Sequence, residues 1–587
     1  MTTVGLTVAL IGAPLLLGLA GLVLPQRNRP AGAAFGVLGA GLALALVTVL
    51  LIGFDGPREG SFIWVEFGEF EIMASVLVDR RALFMALAVA VVAFCVQVYS
   101  ISYLRGDDRY GPYAAQVSIF TAAMLTVVFS GDLIMLLIGW EVMGACSYLL
   151  IAHDRSLPEA PAAAVKAFLV TRVGDVGFLL GVIWLGAKVG SFRISEVLDA
   201  VPTLDSTTIT VAALLLLAGV AGKSAQFPLH TWLPDAMAGP TPISALIHAA
   251  TMVAAGVYVV ARLFPLYDAS PVALNVLAIM AGITLLLGAL AATGSDDIKR
   301  VLAWSTVSQL GYMMAALAVR AVDAAMFHLL THAAFKALLF LCAGSVIHAV
   351  GSNLMSRMGG LRRDMPLTFV TMAVGLAALV GVPPMAGFWS KEAIVAALSQ
   401  RPFLLYAALA GIAVTAWYST RLLVLTFLGE RRVHGHEPDL AMTGPLVLLA
   451  IPAAGLGLGV YLAGDDLAHL DGKAVLPLVL AAAGIGLGWL MCRRRDPMAG
   501  RGWVGDGFGL NTVQRWVVVR PVVGVARAVR AMDVSGVDGI VMGIGRLTES
   551  AGAGLARWHR AALPRAFAGV LAGAFLLAVA GVTVALW

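Results

Sequence analysis

The chain has 587 residues, of which 60% are hydrophobic and 12% charged, with 39 Lys+Arg against 34 Asp+Glu. A soluble domain carries about 25% charged residues, and with a mean hydropathy of +0.91 a water-soluble globule is excluded. The net charge of +5 is unevenly spread: residues 493–565 hold twelve Arg against five acidic residues, a local excess of +7, so the rest of the chain sums to −2.

At roughly 20 apolar residues per membrane crossing, hydropathy places spans at 3–25, 31–53, 83–104, 113–130, 132–152, 163–187, 208–238 and 241–263. Eight more follow at 272–292, 299–317, 321–349, 367–398, 402–429, 441–463, 474–492 and 566–587. The first lacks a basic leader and a cleavage site, so it reads as a retained helix. The fold class is an all-α polytopic membrane protein of about 16 transmembrane helices. Basic residues recur in alternate loops: Arg27/Arg29, Arg105/Arg109, Arg155/Lys166, Lys299/Arg300, Arg357/Arg362/Arg363, Arg431/Arg432 and Arg493 to Arg495. The positive-inside rule makes these loops cytoplasmic and puts both termini outside.

Two spans are irregular. The seventh contains Pro228 and Pro234, and the twelfth contains Pro383 and Pro384. Proline removes a backbone donor and clashes with the preceding turn, so each span should break near mid-membrane. Interrupted helices at matched positions mark inverted-repeat transporters. The organisation expected is therefore helices 1–3 (1–110), a first five-helix repeat (111–265), a second, inverted repeat (266–430), helices 14–15 (431–495), a lateral amphipathic helix or strap (496–564) and a last span (565–587).

Ionisable residues at a helix centre cost about 2.5–3.5 kcal/mol each on insertion scales. The chain nevertheless places Glu141, Asp175, Lys223, His248, Lys391 and Glu392 inside spans, and sets His328, His332 and Lys336 at i, i+4 and i+8 of the eleventh. That last trio shares one face over about 12 Å. Lysine, glutamate and histidine in a low-dielectric interior exchange protons readily, because burial disfavours their charged forms and an approaching opposite charge restores them. The bland alternative for a single histidine is a backbone hydrogen bond in a packed core; Arg172 and Asp175, at i and i+3, read equally well as an intrahelical ion pair. Cys95, Cys146, Cys342 and Cys492 form no C-x-x-C pair and read as buried small residues, not as iron–sulfur or zinc ligands.

The segments GWEVMGACSYLLI, FPLHTWLPDAMAGPTPISALIHAATMVAAGVYVV, LAWSTVSQLGYMM, THAAFKALLFLCAGSVIHAV and PPMAGFWSKEAI resemble the antiporter-like subunits of respiratory complex I. Within that family the Lys of FWSKE points to the distal L-type (chain 5) group, since M-type relatives carry a glutamate there. The resemblance implies that Glu141 modulates the first pump lysine, Lys223, and couples to the adjacent subunit. It makes Asp175 an acidic partner near the entry side, His248, His328, His332 and Lys336 a hydrated central relay, and Lys391 the exit lysine, with Glu392 where relatives often have Asp. It implies proton translocation by a subunit of an NADH–quinone oxidoreductase in a bacterial inner membrane. No cofactor is expected in this chain; flavin, iron–sulfur clusters and quinone would belong to partner subunits. The partners implied are other membrane subunits, especially the M-type neighbour, with the lateral helix touching several, and the bilayer, but no nucleic acid.

The basic segment 508–563 could reach about 84 Å as one helix, with Arg515, Arg520, Arg527 and Arg530 beside Trp516 as in an interfacial helix. Pro521 and six glycines from Gly536 to Gly554 oppose a continuous rod. The loop AVGSNLMSRMGGL lacks the acidic residues many relatives carry. Other readings sharing the core motifs are a subunit of a multi-subunit cation/proton antiporter, and a membrane partner of a bicarbonate-uptake or hydrogenase complex.

Overall fold

The computed structural model describes residues 2–25, 28–67, 70–463, 474–493, 496–559 and 563–586. Arg27, Arg494 and Arg495 of the expected basic loops lie outside these residues. The chain forms two units, 1–509 and 510–587.

The first unit opens with α1 (Thr3–Val23) and α2 (Arg29–Ile52), then a hairpin of β1 (Arg58–Phe67) and β2 (Phe70–Val78). It continues with α3 (Arg80–Tyr103), α4 (Tyr110–Phe129), α5 (Leu133–Ile151), α6 (Glu159–Val189), the short α7 (Ile194–Ala200) and α8 (Ser206–Lys223). After α9 (Trp232–Asp235) come α10 (Thr241–Ala249), α11 (Met252–Arg262), α12 (Phe264–Asp268), α13 (Pro271–Gly294) and α14 (Ile298–Ala318). Next are α15 (Val322–Val350), α16 (Pro366–Val380), α17 (Ala386–Ala397), α18 (Pro402–Phe427), α19 (Leu440–Leu462), α20 (Val475–Cys492) and α21 (Gly502–Gly505). Among the described residues, 15 helices are long and apolar enough to cross a membrane. The span expected at 367–398 is divided between α16 and α17, neither of which is long enough alone.

Aspartates set several span boundaries. Asp79, Asp132, Asp205 and Asp297 each cap the N-terminus of the following helix by accepting from backbone N–H groups of its first turn. A cap of this kind is worth about 1 kcal/mol. The seventh span breaks after Lys223, ahead of Pro228, while Pro234 lies within α9, and the twelfth breaks after Val380; Phe227–Pro228 and Pro383–Pro384 are cis. A third break, between α10 and α11 at Ala250–Thr251, carries no proline and was not expected. Nor was the antiparallel hairpin between the second and third spans.

The alternation of loops between two faces is held by polar contacts. On one face Arg29 donates to the carbonyls of Leu104 and Ile101, Asp107 meets His153 at 2.8 Å and Arg105 meets Asp439 at 2.8 Å. Arg431 then pairs with Asp364, Ser356 with Asp296, and Arg300 with Asp235. These contacts join the basic loops expected to lie together. On the other face Arg193 pairs with Glu59, Arg81 with Asp323, Arg262 with Asp79 and Arg320 with Asp268. Between the faces, every residue of α10 and α11 except Arg262 is buried, and so is every residue of α14 except Arg300. The core of the unit therefore coincides with the helices that surround the buried charges. The four cysteines are free and buried.

Residues 496–509, placed by sequence at the start of the strap, pack within the first unit. Arg421, 1% exposed in its side chain, grips both carboxylate oxygens of Asp496 (2.8 and 2.7 Å), and Trp304 donates to the Gly505 carbonyl at 2.8 Å.

The second unit runs as helix from 510 to 559 and then forms α22 (Leu563–Ala585). Two π turns, Arg515–Val519 and Met532–Val537, interrupt the α geometry. The first immediately precedes Pro521, whose missing N–H and ring demand local adjustment of the helix; the chain accommodates the proline without ending. Arg520 lies over the Trp516 ring at 3.5 Å.

Candidate proton-translocation site

The first cluster is built from α5, α6 and α8. Lys223, 0% exposed, terminates α8, where the C-terminal carbonyls favour a cation. Asp175 on α6 stands 3.5 Å from its Nζ and accepts from Trp140 Nε1 at 2.6 Å. Trp140 is itself fixed by stacking on Phe178, centroids 4.6 Å apart, so the carboxylate is oriented from both sides. On the far side of Asp175, Arg172 lies at 3.9 Å and forms a close ion pair with Glu141. Charges thus alternate along Glu141, Arg172, Asp175 and Lys223. Glu141 pairs with Arg172 and not with the lysine, and Arg172 is more than a local partner of Asp175. Glu141 and Arg172 are each 31% exposed at the side chain, so the row runs from the unit's flank to its interior.

The second cluster lies between α14, α15 and α17. Lys336 Nζ donates to the Leu302 carbonyl (3.0 Å) and Ser305 Oγ (2.7 Å), and Tyr418 also donates to Ser305 (2.9 Å). Its hydrogen-bond partners are neutral. His328 bonds Ser390 through Nδ1 (2.9 Å) and Gln309 through Nε2 (3.2 Å), while its ring centroid is 6.3 Å from that of His332. His248 and His332 are fully buried, and none of their ring nitrogens reaches a protein partner. Buried polar atoms are satisfied with few exceptions, so these four ring nitrogens stand out among the described residues.

The third site repeats the first in outline. Lys391 on α17 donates to the Leu379 carbonyl, freed where α16 ends, and lies 5.6 Å from the Tyr312 ring centroid. A Cβ at Gly387 would lie 1.8 Å from the Ala378 carbonyl oxygen; only glycine lets α17 start this close to the end of α16. Both lysines therefore sit at the carbonyl end of an interrupted helix, where the backbone is free to solvate an ammonium. A small cavity lined by Lys391, Glu392 and Pro477 adjoins this end. Glu392 is 6% exposed.

The site thus gathers the expected residues into three clusters and adds Ser305, Gln309, Tyr312, Ser390 and Tyr418. The signal for the α14 group was present in LAWSTVSQLGYMM: Leu302, Ser305, Gln309 and Tyr312 repeat at three- and four-residue steps, which puts them on one stripe facing α15.

Residues 130–415 match the family described as NADH:quinone oxidoreductase/Mrp antiporter, and residues 64–114 match the complex I chain 5 N-terminus. An NADH-quinone oxidoreductase subunit L of Mycobacterium tuberculosis is 37% identical over 602 residues, covering 94% of each chain. One from Rickettsia conorii is 42% identical over 446 residues, covering 72% of this chain and 68% of that one. Among solved structures, the Mrp complex from a Dietzia species gives a TM-score of 0.71 at 29% identity, covering 98% of this chain and 63% of that chain. The alternating charge row, the buried histidines and the paired helix breaks thus lie in a chain that belongs to the antiporter-like membrane subunits of NADH-quinone oxidoreductase, in the subunit L (chain 5) family.

Proposed function

We propose that the chain translocates protons across a bacterial inner membrane as a subunit of an NADH–quinone oxidoreductase. The observation that carries this reading is the pair of buried lysines at the ends of interrupted helices, with buried histidines between them. A proton added near Glu141 weakens its hold on Arg172. The released guanidinium then competes for Asp175, loosening the carboxylate from Lys223 and favouring the neutral amine. The proton given up passes to the waters around His248 and His332, reaches Lys336 and His328, and arrives through Ser390 at Lys391. Moving one charge against 100 mV costs about 2.3 kcal/mol, so the switching must be driven from outside the chain. We place the driving redox chemistry (flavin, iron–sulfur clusters and quinone) in partner subunits.

The exposed apolar side of α6, with Val173 and Val176 at 64% and 60% exposure, runs beside Glu141 and Arg172. It suits a neighbouring membrane subunit of the M type. The long helix 510–559 is the element we assign to lateral contact with several subunits. The test is proton pumping in membrane vesicles carrying Lys223→Ala or Lys391→Ala, where each change should depress pumping; unchanged pumping in both refutes the relay. Similarity to the Mrp complex supports a second reading, cation/proton antiport. Purification of the native assembly separates the two, because an assembly without NADH-oxidising partners excludes the first.

A further inference from the structure

We propose that a cleft on the face of the basic loops is a second proton-uptake mouth, which delivers protons to His248 without passing Lys223. The inference rests on the relay reading above. The cleft, of about 160 Å³, lies at the ends of α3 and α15 and is lined by Arg105, His348, His436, Glu437 and Asp439. Its carboxylates are already engaged: Asp439 accepts from Ser102 (2.6 Å) and Arg105 (2.8 Å), and Glu437 takes the backbone N–H and the hydroxyl of Thr368, each at 2.9 Å. Two exposed imidazoles, His348 and His436, with centroids 6.5 Å apart, complete the mouth.

A polar line leads inward from there. The His348 ring is 6.0 Å from that of Tyr103, whose hydroxyl shares a 2.9 Å hydrogen bond with Thr241 Oγ1. Thr241 opens α10, and Ser244 and His248 follow at i+3 and i+7, on one helical stripe about 10 Å long. Ser244 and His248 are 1% and 0% exposed, and neither the Ser244 hydroxyl nor the His248 nitrogens has a protein partner. The cleft and this row of polar side chains, two of them without a protein partner, mark the line along which water would carry the proton. Across the stripe, Gly344 of α15 contributes no side chain; a Cβ there would lie 2.6 Å from the Tyr99 hydroxyl and 3.0 Å from Thr241 Cγ2. None of these residues belongs to the Glu141–Arg172–Asp175–Lys223 row, so the relay has a route to the basic face of its own.

Two measurements on the assembled complex test this. In vesicles with the basic-loop face outward, Ser244→Cys should react with a small, water-soluble methanethiosulfonate about tenfold or more faster than Ala245→Cys, because thiols shut away from water are inert. Thr241→Val, which deletes the hydroxyl at nearly constant volume, should lower the protons pumped per NADH oxidised, and Thr241→Ser should restore them. Equal labelling of the two cysteines, or an undiminished proton yield in Thr241→Val, overturns the proposal. Failure of the relay itself shows separately, as unchanged pumping in Lys223→Ala and Lys391→Ala. If Ser244→Cys does not assemble, the Thr241 pair still decides.

Discussion

Asp175, and not Glu141, is the carboxylate that stands against Lys223, with 3.5 Å between them. Glu141 forms its ion pair with Arg172 and not with the lysine, so it influences Lys223 through the arginine's position and through space. Removing one partner of a buried ion pair costs about 3–5 kcal/mol, because the other charge is left uncompensated. Asp175→Asn should therefore depress pumping at least as strongly as Glu141→Gln, and Asp175→Glu should recover part of it. Proton yield per NADH in vesicles, compared across the three variants, checks the order. A Glu141→Gln defect larger than that of Asp175→Asn would place the direct partner wrongly.

Lys336 poses the opposite problem, since its hydrogen-bond partners, the Leu302 carbonyl and Ser305, are neutral. An ammonium inside a membrane helix costs about 2.5–3.5 kcal/mol on insertion scales, of which two hydrogen bonds return only a part. Lys336→Met keeps the length of the side chain and removes the amine. It should abolish pumping yet raise thermal stability, by about 1 kcal/mol or more. Thermal unfolding of the purified complex, paired with a pumping assay, separates the two effects. A loss of stability would show that Lys336 holds the fold as well as the proton path.

The spans and the charges inside them were legible in sequence because both are local facts: an apolar run, and a residue type that does not belong in it. The pairings were not. Asp175 and Lys223 are 48 positions apart, and their contact exists only because α6 packs along α8. The break between α10 and α11 was hidden for another reason. It carries no proline; Thr251 leaves helical geometry and its hydroxyl bonds the Leu246 carbonyl at 2.6 Å, so hydropathy runs through it unbroken. The hairpin 58–78 lies between two strongly apolar spans, whose signal dominates the hydropathy there. Pro521 follows a π turn, by which a helix can absorb a proline without stopping.

The clamp between Arg421 and Asp496 makes a prediction about pH. Burial pushes the Asp496 carboxyl up, but the hydrogen bonds and charge of Arg421 outweigh it and hold the group below the usual carboxylate range. A carboxylate whose folded value is depressed contributes stability that is present above its unfolded value and lost as pH falls through the folded one. The hold on residues 496–509 should thus persist at neutral pH and fail below about pH 4. Asp496→Asn should loosen the same segment at all pH values. Hydrogen exchange at Gly502–Gly505 reads both effects; protection independent of pH and of this substitution would exclude the clamp.

Gly144 offers a way to move Lys223 without removing its charge. It lies on α5, three residues after Glu141, and a Cβ built on it would sit 2.4 Å from Lys223 Nζ. The colliding atom is the end of a flexible side chain, so the lysine can swing aside while the backbone stays in place. Alanine is also the better helix former by about 1 kcal/mol, which offsets part of what the displaced ion pair loses. Gly144→Ala should then fold and assemble normally, with the ammonium displaced from the position 3.5 Å from Asp175 that it now holds. If that separation sets the exchange of charge between Asp175 and Lys223, pumping falls although every ionisable residue is retained. Restoring space elsewhere, with Trp140→Phe in the same chain, should not rescue it, because Trp140 also orients Asp175 through a 2.6 Å hydrogen bond. Normal assembly with normal pumping in Gly144→Ala would show that the proton path tolerates a displaced lysine, and that the charge row works by electrostatics at longer range than contact.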